Sequence, residues 1–126
     1  MKSSSLLLLF LLTASFSYCQ VIIGNVDINQ DENVKIIEVM IVEWTLKKHV
    51  NVFIDYGQKS NFRAERMNNN SKDQIINDPV SGKEKVFIST GAVLNFMEAN
   101  KWEHYHSLVR TESNNSIFYY YFRKKR

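Results

Sequence analysis

The chain of 126 residues has one cysteine, one proline and four glycines. A single cysteine excludes an internal disulfide framework and a zinc-thiolate cluster. The scarcity of proline and glycine excludes collagen-like and low-complexity chains. Glycines at 24, 57, 82 and 91 are too scattered to form a phosphate-cradling loop, and no dinucleotide fingerprint or nucleophile-elbow motif is present. Charge of one sign is also lacking over most of the chain. The formal charge is +3, but Lys2 and the last four residues, Arg123–Arg126, account for more than all of it. A basic face suited to nucleic acid is therefore not expected, and no nucleic-acid partner is expected.

What is present is the composition of one globular domain, with 44% hydrophobic and 23% charged residues. The first nineteen residues read differently from the rest. Lys2 precedes an apolar run from Leu6 to Leu12, softened by Thr13–Ser17, with Ser17 and Cys19 in the positions before Gln20. This is the layout of a secretory signal peptide, 1–19, cut between Cys19 and Gln20. The apolar stretch of eleven residues to Phe16 is short of the roughly 20 that span a bilayer, so no transmembrane helix is expected in the mature chain. The expected location is secreted, periplasmic or in the cell envelope. Lipidation of Cys19 is an alternative that would anchor the chain, although Tyr18 stands where a small residue is wanted.

Residues 20–33 are polar and weakly patterned, and are expected to form a flexible segment with at most a short strand at Val21–Ile23. A single domain is expected over 34–126. From Val34 to Leu46 the chain is apolar on both parities, which suggests a central strand covered on both sides. Val50 to Tyr56 alternates and forms a second, antiparallel strand. A polar loop follows over 58–72, with a helical turn expected at 62–67. Residues 73–88 suggest a minor hairpin, with turn chemistry at Asp78-Pro79 and Gly82 and short strands at 75–76 and 86–88. Ser89 or Thr90 can cap a helix over 91–100, whose apolar stripe is Val93, Leu94, Met97 and Phe96. Two more strands occupy 102–110 and 117–123. The expected fold is α+β: two layers, an antiparallel sheet of about four main strands and one helix on a face, ordered ββ-loop-α-ββ.

The run Leu94-Asn95-Phe96-Met97-Glu98-Ala99-Asn100-Lys101-Trp102-Glu103, and the strand pair ending in Phe122-Arg123-Lys124-Lys125, resemble small exported proteins of Bacteroidetes-type bacteria. The segment Val52–Gln58 is similar to their aspartate-aromatic-glycine-glutamine strand. A similar helix, tryptophan-glutamate and strand-pair ending occurs in a bacterial family of domains of unknown function. The resemblance implies an exported α+β domain and no particular activity. Lys101 departs from it, standing where that pattern has glycine.

Chemistry-bearing residues are few. His104 and His106 are weak metal candidates: on a regular strand they share one face about 6–7 Å apart, a spacing that suits zinc or copper if His49, Glu103 or Glu112 adds a third ligand. Two exposed histidines on a solvated face explain the pattern more simply, so no metal is assigned. Glu38, Glu43 and Asp55 could cluster as carboxylates, but no partner spacing singles them out for catalysis. Tyr119–Arg126 combines aromatic rings with cations, and is expected to pack alternate rings on the helix and leave the basic end solvated. Asn69–Ser71 and Asn114–Ser116 match glycosylation acceptors and mark loops. No cofactor and no catalytic residue is expected. The sequence suggests a non-catalytic binding or structural role with a protein or envelope partner; a metal-dependent protein using His104 and His106, and a lipid-anchored component, are the alternatives.

Overall fold

A computed structural model describes residues 19–58, 72–112 and 115–126. The leader up to residue 18, the helical turn at 62–67, most of the polar loop around it and the acceptor at 69–71 lie outside the described residues, as does Asn114.

Four strands form the main sheet. β3 (Ile36–Trp44) and β4 (Asn51–Asp55) are one antiparallel hairpin, and β6 (Trp102–Glu112) and β7 (Asn115–Lys124) are another. The hairpins join through β3 and β7, giving the order β4-β3-β7-β6, antiparallel throughout. The β-branched run of β3 thus lies in the middle of the sheet. Ile37, Val39 and Ile41 enter the main core, while Met40 and Val42 are buried on the opposite face with Phe53 and Ile117. Apolar residues on both parities follow from burial on both faces.

One helix, α1 (Thr90–Ala99), covers the inner face. Ser89 caps it: its Oγ accepts from the Ala92 backbone N–H at 3.2 Å, worth about 1 kcal/mol. Val93 and Met97 are fully buried, with Leu94 and Phe96 packed beside them. At the other end Lys101 adopts the left-handed conformation, with φ of 65°. A residue other than glycine thus occupies the position that ends the helix, at a cost of about 1–2 kcal/mol.

Residues 20–33, expected as a flexible segment, are part of the folded core. β1 (Ile22–Ile23) and β2 (Val26–Asp27) form a tight hairpin, and β1 also pairs with β5 (Ile76–Asn77), making a small sheet in the order β2-β1-β5. Gly24 turns this hairpin with φ of +59°, and a Cβ there would come within 3.3 Å of the Lys72 carbonyl oxygen. Val21, Ile23 and Ile28 are at most 1% exposed and join Met97, Trp102 and Phe122 in one cluster. The physical reason for the difference is length. Two-residue strands separated by a polar turn bury their apolar side chains one at a time, without a readable period.

The minor hairpin at 73–88 also forms differently. Its turn is as expected: Asp78 Oδ1 accepts from Val80 and Ser81 N–H at 2.9 and 2.8 Å, which holds its carboxyl below the usual range. Its arms meet at one bridge, Asn77 to Glu84, flanked by the Lys85 N–H bond to the Ile76 carbonyl at 2.8 Å, while the other edge of β5 pairs with β1. Residues 86–88 are not a strand; Val86 and Ile88 are exposed and only Phe87 is buried, bridging to Val50 and meeting Phe96 edge-on at 5.3 Å.

Candidate functional site

With α1 and the small sheet on the inner face, the outer face of the main sheet carries the functional candidates. The strand register arranges it in rows. One row is apolar: Phe53, Met40, Tyr119 and Leu108. The next is polar: Asp55, Glu38 and Tyr121, ending on the edge strand with Tyr105 and His106. A third brings Arg123 opposite Ile36 and Glu103. Among these, Tyr105 and Leu108 on β6 are exposed, whereas Met40 and Phe53 are buried under the half-buried rings of Trp44 and Tyr119.

Tyr121 is the pivot of the polar row. Its hydroxyl donates to Glu38 Oε2 at 2.7 Å, and this bond to a carboxylate, together with burial, pushes the phenol up to about 12. Glu38 and Asp55 stand directly opposite each other, a like-charge pair that the Tyr121 hydroxyl partly relieves. Arg123 Nε donates to Glu103 Oε2 at 2.8 Å, and its guanidinium lies 6.0 Å from the Tyr105 ring centre. At the far end of the face, Trp44 Nε1 and Asn51 Oδ1 are buried without a partner among the described residues, one a donor and the other an acceptor.

The two histidines are not neighbours on one face. A bulge at Tyr105 shifts the register, so that His104 pairs with Phe122 and His106 with Tyr121. His104 therefore lies on the inner side, edge-on to Tyr120 and Phe122 at 5.5 and 5.6 Å. His106 lies on the outer side, 5.9 Å from the Tyr121 ring. The bulge removes the geometry on which His104 and His106 were candidate metal ligands. Among the described residues no group of three His, Cys, Asp or Glu could hold a metal ion.

The carboxylates divide too. Glu38 and Asp55 meet on the outer face, but Glu43 is on the inner side and accepts from Thr90 Oγ1 at 2.6 Å. The outer pair lies across an open sheet rather than on two walls of a cleft, which is not the arrangement of a glycoside-cleaving pair.

The basic end is more engaged than expected. Arg123 is held by Glu103, and Lys125 by Glu98, whose carboxyl is held below its usual range by that bond and by the His104 N–H. Lys124 Nζ donates to the carbonyls of Asn29 and Asp31 at 3.3 and 2.8 Å and sits 5.3 Å from the Trp102 ring centre; burial lowers its pKa. These cations serve the fold before any ligand.

Sequence reasoning missed a polar hub that joins the segment before β3 to the end of the chain. Asn29 Oδ1 accepts from the buried Trp102 Nε1 at 3.0 Å, and Asn29 Nδ2 donates to the Asn100 carbonyl at 2.8 Å. Asn100 Oδ1 in turn accepts from the Gln20 N–H at 3.0 Å. A lone asparagine in a polar stretch carries no signal that it will bond a tryptophan 73 residues away.

No protein-family model, curated protein or solved structure matches the chain. Among the described residues no helix is long and apolar enough to cross a membrane.

Proposed function

We propose that the protein is an exported, non-catalytic binding domain whose partner, a protein or another envelope component, docks on the outer sheet face at the Tyr105, His106, Leu108 and Tyr121 end. The observation that carries this reading is the placement of the aromatic residues. Phe118, Tyr120 and Phe122 pack on the inner cluster, while Tyr105 and Leu108 stand exposed beside Tyr119 and Tyr121 on the other side. Residues 20–33 pack on the inner side and leave this end of the outer face uncovered among the described residues. Exposed rings next to an Arg123–Glu103 pair supply apolar area and oriented charge together, a composition favoured at contact surfaces.

Export is tested by expressing the whole chain with its own leader and measuring the mass of the folded product. A start at Gln20 supports free export; a lipidated Cys19 supports the anchored alternative; an intact leader on a cytoplasmic product refutes both. Binding is tested by mixing the purified domain with solubilised envelope from its own host and measuring retention. Tyr105→Ser with Leu108→Ser should lower retention with an unchanged melting temperature. Equal retention of the variant refutes the outer face as the contact surface.

A further inference from the structure

The two edges of the main sheet are finished differently. The β4 edge is met at both ends: the Val50 N–H donates to the Phe87 carbonyl at 3.0 Å, and Gln58 Nε2 donates to the Ile54 carbonyl at 2.8 Å. The β6 edge is closed only at its start, where the outward His104 N–H donates to Glu98 Oε1 at 3.3 Å and the Tyr105 bulge interrupts the ladder. Beyond the bulge the strand is regular.

The direction of its main-chain groups follows from β7. The Lys124 N–H donates to the Lys35 carbonyl and the Lys125 N–H to the Lys101 carbonyl, so alternate residues of β7 face opposite neighbours. Tyr121, Tyr119 and Ile117 then face β6 and bond with His106, Leu108 and Arg110. Ser107, Val109 and Thr111 are left with N–H and C=O pointing away from the sheet, and no described group meets them. Their side chains are exposed, Val109 at 60%, next to Leu108 at 43%.

We propose that Ser107–Thr111 of β6 pairs antiparallel with the same segment of a second copy of this chain, about a two-fold axis through Val109. This assignment is independent of export and of the outer-face partner. Three outward residues have one symmetric centre, and it is Val109. An axis at Ser107 would run the partner strand into the bulge. With the axis at Val109, Val109 meets its own copy, Ser107 meets Thr111, and about six main-chain hydrogen bonds form. On the outer face Leu108 lies across from Arg110, so no like charges are directly opposed between the paired segments. Serine-threonine and valine-valine pairs are favourable cross-strand neighbours, and a segment that matches itself about a two-fold axis is what an isologous contact requires. The result is one continuous sheet through both copies.

The test is the mass in solution of the folded chain, by light scattering and sedimentation equilibrium, at concentrations up to about 1 mM so that a weak contact is populated. The proposal expects the mass to double with rising concentration. Val109→Pro should hold it at that of one copy without lowering the melting temperature, since the N–H it removes points away from β7. Val109→Lys should do the same and guards against a folding defect of the proline variant. In a Cys19→Ser background, Val109→Cys should form a disulfide-linked dimer on mild oxidation. Ser107→Cys should not, because those positions would be about 13 Å apart along the strands. A single-copy mass at every concentration overturns the proposal, and so does a dimer that survives both Val109→Pro and Val109→Lys.

Discussion

Replacing Lys101 by glycine should stabilise the protein. Lys101 follows the helix cap at Asn100 and holds φ of 65°, where its Cβ crowds the backbone. Its side chain is exposed. Its main chain is fully used: the N–H donates to the Glu98 carbonyl at 3.1 Å and the C=O accepts from the Lys125 N–H at 2.9 Å. Glycine keeps both bonds and removes the steric cost, about 1–2 kcal/mol. The greater freedom of glycine in the unfolded chain returns about 0.4–1 kcal/mol of that gain. The net expectation is about 0.5–1 kcal/mol, or about 2–6 °C in melting temperature for a domain of this size. Thermal and urea unfolding followed by circular dichroism measure it. Lys101→Ala is the control, since alanine loses the charge but keeps the Cβ, and it should gain nothing. An unchanged or lower midpoint for Lys101→Gly, or an equal gain for Lys101→Ala, refutes the reasoning that backbone strain at this position costs stability.

Asn29→Ala should cost about 1–3 kcal/mol in urea unfolding, because it leaves the fully buried Trp102 N–H without an acceptor. In alkali, the raised Tyr121 pKa means that its contribution is intact below about pH 10, its ordinary value, and is lost as pH climbs to about 12. Melting temperatures across that window should fall less steeply for Tyr121→Phe than for the wild type. A residual slope is expected from Tyr56 and Tyr120, whose phenols are also raised, chiefly by burial. Asp55→Asn should be neutral or stabilising by a few tenths of a kcal/mol, since it ends the like-charge opposition to Glu38 while its oxygen still accepts from the Gly57 N–H. A loss of 1 kcal/mol or more would refute the reading of Asp55 and Glu38 as an unfavourable pair.

The local elements were legible in the sequence wherever a period ran long enough. Val34–Leu46 is a long β-branched run apolar on both parities, Val50–Tyr56 alternates, and Ser89 and the Val93–Met97 stripe mark the helix. The pairing of β3 with β7 was not legible, because both strands are apolar on both parities and each could neighbour several others. The bulge was hidden for a different reason. His104-Tyr105-His106-Ser107 reads as clean alternation, and no glycine or proline marks Tyr105 as the extra residue. That one residue moves His106 and Leu108 to the outer face, away from Trp102 and His104, and with them the contents of the candidate site. The small sheet went unread because its side chains are buried singly, and the Asn29 hub because polar partners far apart in sequence leave no pattern.

β7 comes last in sequence among the strands of the described residues, yet it lies between β3 and β6. A ribosome delivers it after all of its neighbours. Until Asn115–Lys124 emerges, the first hairpin and β6 have nothing to bridge them, and Trp102, Asn29 and Lys124 cannot assemble. The two hairpins therefore close into one sheet only once Asn115–Lys124 is in place, so completion of the inner core waits on a single strand.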